Sequence, residues 1–488
     1  MTNAAKVRLA ALADAVLLPC FDGTIAPDWL RRRVAGSLGG VCLFGRNIVD
    51  PEQVAAMTAS LAAERESVVV AIDEEAGDVT RLDAATGSRF PGAAALGQVD
   101  DVRVTGEIAA EVGRLLADAG VSVNFAPCAD VAVDPSNPVI GSRAFGADTN
   151  LVARHTAAWV TGQQAAGVAA CAKHFPGHGD TDADTHRQLA VLNGDLLTLR
   201  AQAIPPFVAA IHAGVASIMA GHLLAPAVDD VPASVSHRWL TEILRGEMGF
   251  DGAVVTDALE MAAVADSYGI PGAAVAALAA GADLLCIGGD TRPPQELDGI
   301  RDAIVDAVLT GTLTEQRLAD AAARSATLGI SATRRLAGRA GPVGDIRPAS
   351  ADTVHAAARR ALVVAGPLPE LRDPVLVLRC TDTPNIAVGA VPWGPATALD
   401  GAHEVLLRAG DEAPIDRARQ AGSVLVVTRD RHRHPWMVAD LNRIRQARPD
   451  AVLVEMGISG VADGDGPAVA SFGATLAASR AVVEQLGR

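Results

Sequence analysis

SVVVAIDEE (67–75) is the stretch on which the fold turns: an unbroken apolar run, Val68 to Ile72, that ends in carboxylates. Residues apolar at odd and even positions alike suit a strand buried on both faces, as in a parallel sheet covered by helices. Seven more runs repeat the design, namely AVLLPCFD (15–22), GGVCLFGR (39–46), VSVNFAPCAD (121–130), VAACAKHF (168–175), ASIMAGHL (216–223), GAVVTDAL (252–259) and ADLLCIGG (282–289). Helix signals fill the gaps, as where Asp50-Pro51 opens a helix with proline in the first turn. Eight strand-helix units predict a (β/α)8 barrel over residues 1–340, with a doubly wound sheet as the competitor. Asp22, Arg46, Asp73, Asp130, His174, His222 and Asp257 stand at or just beyond the ends of seven runs. A strand must end in something polar, but carboxylates and imidazoles on seven of eight strands point to the C-terminal face where barrel active sites are built.

Beyond the barrel, GPVGDIRPAS (341–350) reads as a linker after an Ala-rich helical stretch at 316–339. Residues 351–488 then carry strand-like runs at 361–366, 374–380, 423–430 and 451–457, with a helical stretch from Trp436 to Arg448, and predict a smaller α/β domain. GDGPAVA (464–470) resembles a phosphate loop only loosely and lacks the strand-turn-helix setting. A net charge of −16 argues against a nucleic-acid partner. No apolar run approaches the ~20 residues of a membrane span. In VRLAALADAVLLPC (7–20), Asp14 interrupts the apolar stretch and Pro19 is misplaced for a cleavage site, so an opening helix running into a strand is expected. Six scattered cysteines without a CxxC pair fit buried thiols in a reducing cytoplasm.

The richest chemistry lies in KHFPGHGDTDADTHRQL (173–189). Asp180, Asp182 and Asp184 open like a calcium loop, but Thr185 and Val191 stand where glycine and glutamate are needed. The spacing of His174, His178 and His186 matches no zinc pattern. No metal is expected. A catalytic loop makes physical sense: Gly177 and Gly179 supply hinge freedom, and Asp184 and His186, two apart, share a face in an extended stretch. A carboxylate beside an imidazole raises its pKa and selects its tautomer, giving a general acid/base near neutral pH.

KHFPGHGDTDADTH (173–186) resembles the signature of glycoside hydrolase family 3, in its β-N-acetylglucosaminidase branch. GGVCLFGRNIVDPEQV (39–54), NPVIGSRAFGAD (137–148) and LRGEMGFDGAVVTDALEM (244–261) are similar to further family segments, and SFGATLAASRAVVEQLG (471–487) to the closing segment of two-domain members. The resemblance implies Asp257 as nucleophile and Asp184-Thr185-His186 as the acid/base dyad. It places Asp73, Arg81, Arg143, Lys173 and His174 around the sugar. DEEAGD (73–78) departs from the family's Asp-Gln-Glu-Gly-Gly-Arg at Ala76 and Asp78.

A retaining glycosidase needs one carboxylate to attack the anomeric carbon and an acid to protonate the leaving oxygen. Asp257 before ALEM also fits a helix N-cap. The implied activity is an exo-acting β-N-acetylhexosaminidase on small carbohydrates, and an aromatic content of 3% suits a pocket for one terminal sugar. A phosphorylase and a β-glucosidase of the same family are the alternatives, and a catalytically dead binding barrel is the reading from another class. No cofactor is expected, and a cytoplasmic monomer is the starting assumption.

Overall fold

Each of the eight apolar runs forms a strand: β1 Leu17–Pro19, β2 Gly40–Leu43, β3 Val69–Ile72, β4 Val123–Asn124, β5 Ala169–Phe175, β6 Ser217–Ala220, β7 Ala253–Thr256 and β8 Leu285–Ile287. The computed structural model describes residues 3–181, 183–288, 294–338, 346–382, 386–412 and 414–488. Asp182 and residues 341–345 of the expected linker lie outside the described residues. Strands β2 to β7 form one parallel sheet in chain order. An isolated parallel bridge, Val255 to Leu284, continues it to β8, and β8 pairs in parallel with β1. All residues of these eight strands are buried, as the continuous apolar runs require.

Helices fill the connections. Asp50 caps the helix Pro51–Glu64 by accepting the Gln53 N–H, with proline in its first turn. The Ala-rich stretch is the helix Glu315–Ala337, capped by Thr314. One helix among the described residues, Ala262–Ala280, is long and apolar enough to cross a membrane by length and composition, which corrects the expectation that no run reaches that length. Its backbone leaves the helical region at Gly269, with Pro271 just beyond, and it carries a buried alanine face.

The chain divides into two compact units. The first holds the barrel: Met1–Glu74, Thr105–Asn137 and Ala147–Pro348. The second joins Ala349–Arg488 to two segments that the sequence reading assigned to the barrel, Glu75–Val104 and Pro138–Gly146. Its sheet has six strands, β9 Val363–Ala365, β10 Val375–Cys380, β11 His403–Leu407, β12 Ser423–Thr428, β13 Val452–Glu455 and β14 Ala468–Ala470, in the order β9-β14-β13-β12-β10-β11. Among the described residues of this sheet, only the β9–β14 pair is antiparallel. The expected helix runs Pro435–Ala447. Two strands of this unit among the described residues escaped the sequence reading, as did the short parallel pair Ala190–Val191 and Leu223–Leu224 of the first unit. β11 is a half-exposed edge strand, and β14 is three residues within the GDGPAVA stretch.

Candidate active site

Period-two geometry sets the site. Val69 and Ala71, Ala169 and Cys171, and Ala253 and Val255 belong to one buried core cluster. Side chains along a strand return to the same face every second residue. The next residues in each series are Asp73, Lys173 and Asp257, so three charged groups stand on the cluster's side at the C-terminal ends of β3, β5 and β7. Lys173, with a side chain 2% exposed, donates from Nζ to Asp73 Oδ1 at 2.5 Å. A buried ammonium held by a carboxylate keeps both charges fixed for polar ligands.

A second pair lies beside the first. Asp130 is fully buried beyond the end of β4; its Oδ2 meets His174 Nδ1 at 2.7 Å and accepts the Cys128 thiol at 3.0 Å. Its Oδ1 accepts the His178 N–H at 2.6 Å. Burial pushes the Asp130 carboxyl up, but His174, with His178 and the Cys128 thiol, outweighs this and holds it below the usual carboxylate range. Cys128, Asp130 and His174 are the one set among the described residues whose donor atoms could gather on a metal, within 4.8 Å of one another. Those atoms already bond each other.

The dyad forms differently from the extended stretch expected. His186 Nδ1 lies 2.7 Å from Asp184 Oδ1, but the same oxygen accepts the His186 N–H at 2.9 Å, and Asp184 O accepts from Arg187 and Gln188. This is an Asx-type turn, in which the carboxylate organises the backbone as well as the ring. The His186 side chain is 28% exposed. The hinge reading of Gly179 is also corrected: a Cβ there would stand 1.8 Å from Val131 O, so the position needs glycine for close packing. Gly177 has φ +127°, a backbone region that favours glycine, and a Cβ there would stand 2.8 Å from the Ala203 Cβ.

Asp257 is partly exposed, and its Oδ1 accepts the Ala258 N–H at 2.8 Å. The following helix starts at Ala262 with Met261 at its N-cap position, so the N-cap reading of Asp257 does not hold. Burial pushes its carboxyl up. The imidazoles of His174, His222 and His186, in that order, overcome this and hold it at about 2. A carboxylate this acidic is ionised at neutral pH. His222 is fully buried, with Nδ1 2.7 Å from Ser234 Oγ and Nε2 2.9 Å from Ala258 O, and burial pushes its pKa down. Asp22 and Arg46, beyond the ends of β1 and β2, pair with each other at 3.3 Å.

The barrel unit therefore gathers Asp73, Lys173, His174, Asp184, His186 and Asp257. Arg81 and Arg143 belong to the second unit. There Arg143 grips Glu75 through Nε at 2.8 Å and Nη2 at 2.7 Å, and Arg81 Nη2 donates to Ala387 O at 2.9 Å. Asp78, in place of the family's arginine, is also settled within that unit. It accepts from Arg429 Nη2 at 2.8 Å, from the Ala474 N–H at 2.7 Å and from Ser142 Oγ. Ala76 holds φ 56°, a region that favours glycine. Asp130 and His222 were visible in the sequence only as strand-end polar residues. Their strand-end position was the signal, and their partners were not.

A (β/α)8 barrel with a carboxylate just beyond β7 and an Asp-His pair on the loop after β5, both in one unit, is the architecture of a barrel enzyme. Residues 28–328 match the description "Glycosyl hydrolase family 3 N terminal domain", and the chain belongs to glycosyl hydrolase family 3. It is a glycoside hydrolase. A "Beta-hexosaminidase" of Thiobacillus denitrificans (strain ATCC 25259 / T1) is 40% identical over 274 residues, which span 54% of this chain and 76% of that protein. One of Nitrosomonas eutropha (strain DSM 101675 / C91 / Nm57) is 37% identical over 268 residues, 53% of this chain and 76% of that protein. The structure of a family 3 β-N-acetylglucosaminidase from Paenibacillus sp. str. FPU-7 matches 98% of this chain and 96% of its own, with TM-score 0.85 and 30% identity.

Proposed function

We propose that the chain is an exo-acting retaining β-N-acetylhexosaminidase that removes terminal β-GlcNAc from small glycosides such as cell-wall fragments in the cytoplasm. One observation carries the reading: the Asp184–His186 pair, 2.7 Å apart, includes an imidazole that acts electrostatically on Asp257. The named activities of the relatives support the same sugar class.

In this reading Asp257 attacks the anomeric carbon while the His186 imidazolium gives its proton to the leaving oxygen. Asp184 orients the ring and stabilises its cationic form. The neutral imidazole then takes a proton from water, which attacks the glycosyl-enzyme and releases Asp257. Asp73, Lys173 and His174 hold sugar hydroxyls.

Hydrolysis of aryl β-GlcNAc against aryl β-glucoside, with and without phosphate, tests the substrate and the acceptor together. Faster turnover of the glucoside would reject the sugar assignment, and phosphate-dependent turnover would make the enzyme a phosphorylase. His186→Ala tests the mechanism, because a good leaving group departs without a proton. Alkyl glycosides should slow about 10²–10⁴-fold and nitrophenyl glycosides far less. Equal slowing would send the search for the acid elsewhere.

A further inference from the structure

The dyad loop contains a buried imidazole that the reaction above does not use. His178 is 1% exposed. Its N–H donates to Asp130 Oδ1 at 2.6 Å, and its carbonyl accepts from Asn137 Nδ2 at 2.8 Å. The ring meets two hydroxyls, with Thr181 Oγ1 2.8 Å from Nδ1 and Thr185 Oγ1 3.2 Å from Nε2. Thr185 is itself 1% exposed and stands between the two dyad residues.

Counting protons assigns the directions. Thr181 Oγ1 donates its one proton to the His178 carbonyl at 3.1 Å. With that proton on the carbonyl, the oxygen accepts from Nδ1–H; the tautomer is assigned from this network. Burial, and then His174, push the His178 pKa down to about 4, which leaves the ring neutral at physiological pH. A neutral ring protonated at Nδ1 has a bare Nε2, and that nitrogen accepts the Thr185 hydroxyl.

We propose that His178 is a positioning residue for the acid/base: its Nε2 holds the Thr185 hydroxyl, and through it the turn that pairs Asp184 with His186. The same residue's backbone ties that turn to Asp130, the carboxylate that carries His174. The dyad and the sugar-facing histidine are thus registered against one buried anchor. The inference rests on the reading of Asp184–His186 as the acid/base.

Thr185→Val keeps the branched shape and removes the donor, while Thr185→Ser keeps the donor. Turnover is measured per active site, counted by trapping the nucleophile with a 5-fluoro-glycoside, on an alkyl and a nitrophenyl β-GlcNAc. Thr185→Val should lower kcat for the alkyl glycoside roughly tenfold, the scale of one buried hydrogen bond. The nitrophenyl glycoside and both KM values should barely move, and Thr185→Ser should restore the rate. His178→Asn, which reaches the Thr181 side but not Thr185, should repeat the Thr185→Val pattern; if it does not fold, the threonine pair decides. The proposal is overturned if Thr185→Val slows both substrates equally or neither, while His186→Ala remains selective for the poor leaving group. If His186→Ala is itself unselective, the dyad reading fails and this inference falls with it.

Discussion

Two aspartates at opposite ends of adjacent strands contrast a carboxylate enclosed by the fold with one left partly open. Asp283 lies just before β8, fully buried, and accepts from Arg245 Nη2, from Arg317 Nη2 at 2.6 Å and from the Val254 N–H at 2.9 Å, with Arg324 at 3.8 Å. Asp257 lies just after β7, partly exposed, with imidazoles acting on it across space. The first carboxylate is saturated by guanidinium groups that cannot lose their protons. It is unavailable to any ligand. The second keeps its charge while remaining open to an electrophile. Barrels place stability at the N-terminal face and reactivity at the C-terminal face.

The comparison predicts a double dissociation. Asp257→Ala should lower turnover by roughly 10⁴-fold or more, as removal of a reacting group does elsewhere, while the urea midpoint stays near that of the parent. A 5-fluoro-glycoside should label the peptide containing Asp257, and labelling of another peptide would end the assignment. Asp283→Ala should do the reverse. Removing one partner from a buried ion cluster costs about 3–5 kcal/mol, read from urea unfolding, with turnover per trapped site retained. Loss of chemistry in a folded Asp283→Ala enzyme would erase the distinction between the two ends.

Acid should act at the mouth, where the buried imidazoles collect. His178 takes up a proton near pH 4 when folded but near 6.5 when unfolded. The unfolded state therefore binds more protons across this window, and stability falls as pH drops from about 6.5 to 4, by at most about 1.4 kcal/mol per pH unit. His222 acts in the same direction. His178→Asn should flatten the slope of unfolding free energy against pH, and an unchanged slope would assign the acid sensitivity to other groups. Asp257 acts in the same direction at lower pH, through stability that is present above about 4 and lost as pH falls toward about 2.

The smallest expected effect lies outside both ends. Ala76 pays for its left-handed backbone at φ 56°, and glycine relieves such strain at the expense of unfolded-chain entropy. Ala76→Gly should raise stability by about 0.5–1 kcal/mol, measurable as a shift in urea midpoint. A loss of stability would show that the alanine methyl packs better than its backbone suggests.

The sequence by itself determined the eight strands and which residues end them. Burial on both faces writes an apolar run into every strand, and the alternation of side chains carries Asp73, Lys173 and Asp257 to one side with no long-range information. The spacing of Asp184 and His186 was legible too, although the pair closes in a turn, because Asp184 bonds the backbone as well as the ring. The short β14 and the edge strand β11 left no comparable pattern, since three residues hold little periodicity and an edge strand tolerates polar side chains. Only the tertiary structure decided the partnerships: Asp130 with His174 and the His178 backbone, Asp283 with its arginines, Asp78 with Arg429, and residues 75–104 with the second compact unit. Local periodicity is set by a strand's own neighbours along the chain. A buried ion pair joins residues 44 positions apart, as in Asp130–His174, or 351 apart, as in Asp78–Arg429, and nothing along the chain between them records the meeting.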